Sequence, residues 1–574
     1  MGDFFQDGPR LGNQYDDDPL LREHLRRRLG PALAAELEPG LRRLGARAGG
    51  EMLALAQAAE AQPPRHVPYD PWGRRVDRID VSPAWEALGR IAVEERIVAA
   101  GYDRGLGAAA RVHQLARLYL YAPSSAIYAC PLAMTDGAVR AIEVHGDAAL
   151  KARALPRLLA ADPAQAWTSG QWMTERTGGS DVSGTATVAR RAADGYRLHG
   201  TKWFTSATTA EVAMTLARVE GAPEGSRGLS LFFVELRDEA GRLQGISVNR
   251  LKEKLGTRAL PTAELTLDGA PATLVGAPGR GVRAIATLFN ITRIYNAACA
   301  AGALRRGLAL ARDYARRRRA FGRPLAEQPL HLETLAALAV EAEAAFLLVF
   351  HVAELLGKEE AGTATAGEQA CLRILTPVAK LYTAKQAIQG TSEVLESFGG
   401  AGYIEDTGLP ALLRDAQVLA IWEGTTNVLA LDVLRAIARD GALRPLLADV
   451  AARLGTVAAA PLAPGVARAR GALERIAAHA AALAAAEPDA AEAGARRLGF
   501  ALARTTMAAL MLERADWAVG QGGGAAAVAS ALRFAGQELA PLAAPGPEER
   551  ADSRRLALGE DQPAAAAAGG GAAT

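Results

Sequence analysis

The sequence predicts a mainly helical α+β protein, in which a small β domain separates two helical regions and a further helical region follows. Three observations predict it. Helical apolar periods run from Pro19 to about Leu159 and return from Gly281 to Arg439. Between about Trp172 and Gly276 they give way to short strand-like runs. A chain of 574 residues is also too long for one simple core, so two to four domains are expected.

In chain order, residues 1–171 read as a helical domain of Ala/Leu/Arg segments, interrupted by the Pro-rich break "QPPRHVPYDPWGRR" at Gln62 to Arg75. Residues 172–278 read as the β domain. There "GTATVARRAADGYRLHGTKWF" forms two strands around an Asp194-Gly195 turn, and "VAMTLARV", "GLSLFFVEL" and "AELTLDG" continue the signal. Residues 279–439 read as an antiparallel bundle. Ile285, Leu288, Phe289 and Thr292 share one helix face, and "LHLETLAALAVEAEAAFLLVFHVAELLG" gives a long helix. Residues 440–550 read as an Ala-rich helical extension with breaks at Pro461 to Gly465 and Gly520 to Gly524. Residues 551–574 read as a low-complexity, disordered tail.

Composition narrows the function classes. Half the residues are hydrophobic and the net charge is +2, so nothing about the whole chain calls for nucleic acid or a membrane. Cys130, Cys299 and Cys371 are far apart and have no metal spacing, which suits a reducing, cytoplasmic chain without disulfides. The polar, acidic start is no secretory signal. The longest uncharged apolar stretch in the long helices, Ala344 to Ala353, falls short of a membrane span.

The eight histidines form no zinc signature, so no metal is expected, and no G-x-S-x-G elbow appears. "FGGAGY" at Phe398 to Tyr403 follows a helix, whereas a Rossmann site needs strand, glycines, then helix. "MTERTGGSDV" at Met173 to Val182 enters the β domain with two glycines between hydroxyl residues. Such a turn can form a backbone nest for anions or remain an ordinary turn. In "AQVLAIWEGTTNVLAL", Glu423 lies inside an apolar run, directly before a Gly-Thr-Thr-Asn turn. It is either a helix-start residue or a base held out of water.

Together these segments resemble the acyl-CoA dehydrogenase family. "MTERTGGSDV", "KWFTS", "RRAFG" and "FGGAGY…LLRDAQVLAIWEGTTN" stand in the family's order between Met173 and Asp432. "FFQDGPRLGNQYDDDPLLREHL", "YDPWGRRVDRIDVSPAW" and "RLKEKLGTRAL" resemble its AidB branch, as does the helical extension. The implied fold is an N-terminal helical domain, a middle β-barrel or sheet domain and a C-terminal bundle, plus the extension. The chain departs from the family pattern at Trp172, where a small residue is usual, and at Ala411, where a basic one is. Gln328 stands one place early.

The resemblance implies FAD as cofactor and an acyl-CoA as substrate. Met173, Thr174, Gly179, Ser180, Phe204, Thr205 and Ser206 are the implied contacts to the flavin ring and near phosphates. A gapless match gives Phe204 the aromatic place and Ser206 the hydroxyl place; a one-residue shift would give them to Trp203 and Thr205. Arg318 and Phe321, with Gly399, Gly400 and Gly402, match contacts to the FAD of a neighbouring subunit, implying a homotetramer built as a dimer of dimers. Trp422, Gly424, Thr425 and Asn427 belong to the last cofactor motif. Glu423 matches the catalytic base. At the alternative place for the base, "NITRIYN", Thr292 precedes Arg293 and no acid is present. Reoxidation falls to an electron-transfer flavoprotein or another acceptor.

A second reading comes from the AidB branch: a flavoprotein that binds DNA and protects it from alkylation damage, with little dehydrogenase turnover. Residues 440–574 hold 13 Arg, no Lys and 14 acidic residues, so only a clustered face such as Arg468 and Arg470, or Arg496 and Arg497, could serve. A helical cap is the simpler expectation. The run Arg316 to Arg319 could read as a nucleic-acid patch; the favoured reading is a helix end meeting its own dipole, together with the implied FAD contact.

Overall fold

The computed structural model describes residues 7–542 and 546–559. The chain divides into two compact units, Met1–Val428 and Leu429–Thr574.

The first unit opens with helices α1 (Pro19–Leu29), α2 (Pro31–Gly49) and α3 (Glu51–Glu60). A hairpin, β1 (Arg65–Tyr69) and β2 (Arg75–Asp80), leads to α4 (Pro83–Glu94), α5 (Ala109–Tyr121), α6 (Ala129–His145) and α7 (Ala148–Leu158). Starts are marked locally. Asp18 accepts from the Leu21 N–H, Ser82 from Ala84 and Asp147 from Leu150, each satisfying a donor the helix cannot. The hairpin occupies the stretch the sequence reading treated as a plain break. Pro68 sits within β1, and the register shifts between Val67 and Tyr69, as expected of proline in a two-stranded edge.

The β domain holds β3 (Ser169–Trp172), β4 (Val188–Ala192), β5 (Gly195–Ser206), β6 (Val212–Val219), β7 (Leu229–Glu235), β8 (Ile246–Leu251) and β9 (Thr262–Val275). The ladder β6-β4-β5-β9-β7 returns to β6, so the sheet closes on itself; β3 adds to β6 and β8 to β9. Gly195 turns β4 into β5 with φ +133°, and a Cβ there would come 2.9 Å from the Ala272 carbonyl. Leu198, Phe232, Val234, Val248 and Leu265 fill the interior. Met214, Leu216, Leu231 and Phe233 face outward and pack with residues of α6, α7 and the next helix.

That helix is α8 (Gly281–Arg317). A small hairpin, β10 (Arg319–Ala320) and β11 (Arg323–Pro324), joins it to α9 (Pro329–Glu360), and α10 (Ala366–Ser397) follows. The three long helices pack on one another. Thr365 and Glu368 close a capping box at the start of α10. By length and composition α9 could cross a membrane, yet most of its apolar stretch is buried inside the protein. The sequence expectation counted only the uncharged run between Glu343 and Glu354, whereas isolated acids do not end the apolar helix. Helix α11 (Pro410–Leu419) and the start of α12 (Thr426–Ala438) complete this unit.

The second unit continues α12 and contains α13 (Leu443–Thr456), α14 (Ala463–Ala484), α15 (Pro488–Gly520), α16 (Ala525–Ala535) and α17 (Pro547–Leu558). Leu446, Ile476, Leu502, Met507, Met511 and Phe534 are among its buried residues. Helix α17 spans the first part of the stretch read as a disordered tail from residue 551. Residues 560–574 of that tail lie outside the described residues.

Candidate active site

Glu423 occupies the turn between α11 and α12. Past the end of α11, Ile421 and Trp422 N–H both donate to Val418 O, the last turn before the chain breaks. Glu423 then adopts φ +57° and Gly424 φ +100°. Glycine takes a left-handed conformation freely, but glutamate does so at a cost of about 1–3 kcal/mol, so the surroundings must hold it there. They do so from three separate elements. Thr292 on α8 donates its hydroxyl to Glu423 Oε2 at 2.7 Å. Gln171 on β3 brings its amide nitrogen to 3.3 Å from Oε1. Arg293 Nε lies 3.4 Å from the Glu423 carbonyl, and Lys380 Nζ on α10 donates to the Gly424 carbonyl at 2.6 Å.

Part of the residue's surface remains accessible, but the carboxylate is surrounded by protein. Burial pushes its pKa up, and the Thr292 hydrogen bond, Arg293, Gln171 and Lys380 offset this only in part. The result is a carboxylate more basic than one in water. Next to it, the Trp422 indole packs on an apolar cluster with Trp85, Cys130, Met134 and Ala207. With its amide turned to suit both neighbours, Asn296 accepts from Trp422 Nε1 at 2.6 Å and donates to Leu419 O.

The glycine-rich segment lies close by. Gln171 is two residues before Met173, and the Trp172 indole donates to Ser206 O at 3.3 Å. Met173 is buried in the helix–sheet core. A Cβ at Gly179 would come 2.5 Å from Thr174 Oγ1, so only glycine lets this turn fold against Thr174. Ser180 is exposed. An unforeseen pair anchors the segment. Glu175 accepts from Lys202 Nζ at 2.8 Å, from the Thr187 hydroxyl and from Ala186 N–H. Burial alone would raise the Glu175 pKa, but Lys202 and these donors more than offset it.

At the end of β5, Phe204 is 57% exposed and Ser206 partly so. Thr205 is fully buried and donates its hydroxyl to Ala263 O at 2.8 Å. The hydroxyl of Thr205, one of the implied cofactor contacts, is thus engaged in fixing the β5–β9 register. Ser206 Oγ lies 3.0 Å from Thr262 Oγ1. Two hydroxyls sharing one hydrogen bond leave one proton to donate elsewhere.

The remaining expected residues divide. Gly424 forms the turn, while Thr425 and Asn427 are exposed beyond it and do not contact the Glu423 carboxylate. Trp422 uses its polar edge on Asn296, so a cofactor would meet only its ring. Arg318, Phe321, Gly399 and Gly400 gather at another place. The Tyr314 and Phe398 rings pack at a tilt with centroids 4.6 Å apart, setting the end of α8 beside the end of α10. There Phe321 is 98% exposed with φ +49°. Built Cβ atoms on Gly399 and Gly400 meet nothing within 4 Å, so that face is open. Gly402 differs: a Cβ would lie 1.9 Å from Leu395 O, so its role is internal packing.

A cavity of about 490 Å³ lies between α4, the start of α6 and the loop after β5, with Trp85, Tyr128, Glu211 and Arg237 in its wall. Its aromatic wall backs onto the cluster that receives Trp422. In the second unit, Arg468 and Arg470 are exposed on α14, and Arg496 and Arg497 on α15.

Comparison with known proteins places this arrangement. Four domain families match in succession: the AidB N-terminal domain over residues 9–162, and the acyl-CoA dehydrogenase middle domain over 170–270. The acyl-CoA dehydrogenase C-terminal domain follows over 279–438, and the acyl-CoA dehydrogenase 11 C-terminal domain-like family over 442–559. Acyl-CoA dehydrogenase family member 11 of Caenorhabditis elegans is 50% identical over 444 residues, covering 76% of this chain and 72% of the relative. The chain belongs to the acyl-CoA dehydrogenase family. Putative acyl-CoA dehydrogenase AidB of Escherichia coli is 33% identical over 70% of this chain and 74% of its own length. The crystal structure of C. elegans ACDH-11 in complex with C11-CoA superimposes with a TM-score of 0.94 at 42% identity, over 98% of this chain and 97% of that one. Within this acyl-CoA dehydrogenase family member, motif reading missed Gln171, Asn296, Lys380 and the Glu175–Lys202 pair as neighbours of the site.

Proposed function

We propose that this chain is an FAD-dependent oxidoreductase that α,β-desaturates an acyl-CoA thioester with Glu423 as base. The observation that carries the reading is the Glu423 carboxylate. It is made more basic by burial, held in a strained turn, and adjacent to both segments that suit a flavin.

The residues present fit FAD. With Thr262 as donor in their shared bond, Ser206 keeps its own hydroxyl proton, and exposed Ser180 follows the tight Gly179 turn. Gly399 and Gly400 offer an open backbone face that side chains would fill, close to Arg318. When bound, FAD supplies the acceptor for the β-hydrogen and its electron pair. The protein's own residues do the rest. Glu423 takes the α-proton, and Thr292 directs one carboxylate oxygen so that the other can face the α-carbon. Arg293 and Lys380 hold the turn's carbonyls, and the Trp422 ring with its apolar neighbours keeps water from the base. The C. elegans relative solved with C11-CoA supports an acyl-CoA as substrate.

The two cofactor regions also support a homo-oligomer. From Thr292 to Arg317 is about 38 Å along α8 at about 1.5 Å per residue, so the Arg318 end of one chain suits a cofactor seated mainly on another. Arg318→Ala and Gly400→Val should therefore lower flavin occupancy on dilution, one by removing a charge and the other by filling the open face. Full occupancy in both, measured by absorbance after gel filtration, would sink the shared-site assignment. The function itself is tested by anaerobic mixing with a panel of acyl-CoAs, in which at least one must bleach the flavin.

A further inference from the structure

The geometry points to Lys380 as a positioning residue for the base, fixing the Glu423-Gly424 turn through the Gly424 carbonyl and adding a positive charge beside the carboxylate. This rests on Glu423 being the base. Lys380 is fully buried in α10, and its ammonium reaches across to the turn at 2.6 Å. A lysine has no reason to be buried for packing alone, because desolvating an ammonium is costly unless something receives it. Here the receiver is the carbonyl of a residue at φ +100°, directly after a glutamate at φ +57°. Two left-handed residues in succession would relax without an external hold. The hold is a charge-assisted hydrogen bond to the backbone, which leaves both carboxylate oxygens to Thr292, Gln171 and substrate.

The electrostatics follow from the same placement. Glu423 is faced by Thr292 and Arg293 from α8, Gln171 from β3, Lys380 from α10 and Cys130 from α6. Lys380 is faced by Glu423, by Arg293 and by Lys385 of its own helix, and burial pulls its pKa down to about 7. Below that pH Lys380 is charged, and its field favours the carboxylate form of Glu423 against burial. Removing the charge must therefore raise the pKa of the base and move the acid limb of the rate profile to higher pH.

The test uses holoenzyme with two variants. Lys380→Met removes bond and charge; Lys380→Gln keeps an N–H donor and removes only charge. Lys380→Met should slow flavin reduction by acyl-CoA about tenfold and move the acid limb up by on the order of one pH unit. Backbone amides of residues 422–427 should exchange hydrogen faster, with FAD content unchanged. Lys380→Gln should restore slow exchange but keep the displaced limb, and it decides the matter if the methionine variant folds poorly. A wild-type acid limb in Lys380→Gln, or wild-type exchange in Lys380→Met, overturns the proposal. Glu423→Gln run alongside separates the two readings. If it bleaches normally, the base assignment fails. If it is silent while both Lys380 variants match wild type, only the Lys380 assignment falls.

Discussion

Glu423→Gln will keep its flavin but reduce it with acyl-CoA about 10⁴-fold more slowly than wild type. The substitution preserves size; its amide oxygen can still accept from Thr292, and its NH2 can donate to the Gln171 amide oxygen once that amide turns, so the turn survives. It removes the only carboxylate in the pair of places the family uses for a base, since Thr292 stands at the other. General-base contributions run about 10²–10⁴-fold, and the absence of a substitute acid places this loss at the upper end. Acyl-CoA will still perturb the variant's flavin spectrum, because binding and cofactor contacts lie in other residues. Stopped-flow absorbance under anaerobic conditions measures both.

Arg111→Met will cost the fold about 3–5 kcal/mol, the largest stability effect we expect. Arg111 on α5 is fully buried and bridges Asp136 on α6 at 2.8 Å and Glu360 at the end of α9 at 2.6 Å. Tyr102 and Gln114 also donate to Asp136, and Gln114 reaches the Tyr295 hydroxyl on α8. One guanidinium thus ties together helices from both helical regions of the first unit. Burial alone would weaken its charge, but Asp136, Tyr102 and Glu360 raise its pKa well above normal. Without it, the Asp136 carboxylate is left buried with neutral donors only. Adding Asp136→Leu should recover part of the loss, because a buried pair removed together costs less than one half removed alone. Denaturant midpoints of the single and double variants check this; equal midpoints for wild type and Arg111→Met would contradict it.

The sequence made the helical and β regions legible because their periodicities differ over long stretches. The helical start at Pro19 and the Asp194-Gly195 turn carry local signals, a capping aspartate with proline and a glycine at positive φ. The β1–β2 hairpin was hidden by Pro68 within its strand. Glu423 was visible because its motif is contiguous. Its neighbours were not. Gln171 and Thr292 are 252 and 131 residues away in sequence, and Lys380 is 44 residues before Gly424, on a helix whose apolar pattern gives no reason to single it out. The Glu175–Lys202 pair joins two motifs that were read separately. The strand's alternation buries the Thr205 side chain between Phe204 and Ser206, and motif matching alone does not see that alternation.

Exchange of the substrate α-proton tests Glu423 most directly, because it isolates proton removal from every later step. Holoenzyme is incubated anaerobically in D₂O with a saturated acyl-CoA, and deuterium at the α-carbon of recovered substrate is read by mass spectrometry. The account predicts incorporation by wild type and none above background by Glu423→Gln with equal flavin content. Incorporation at comparable rates in both would place the base elsewhere and contradict it.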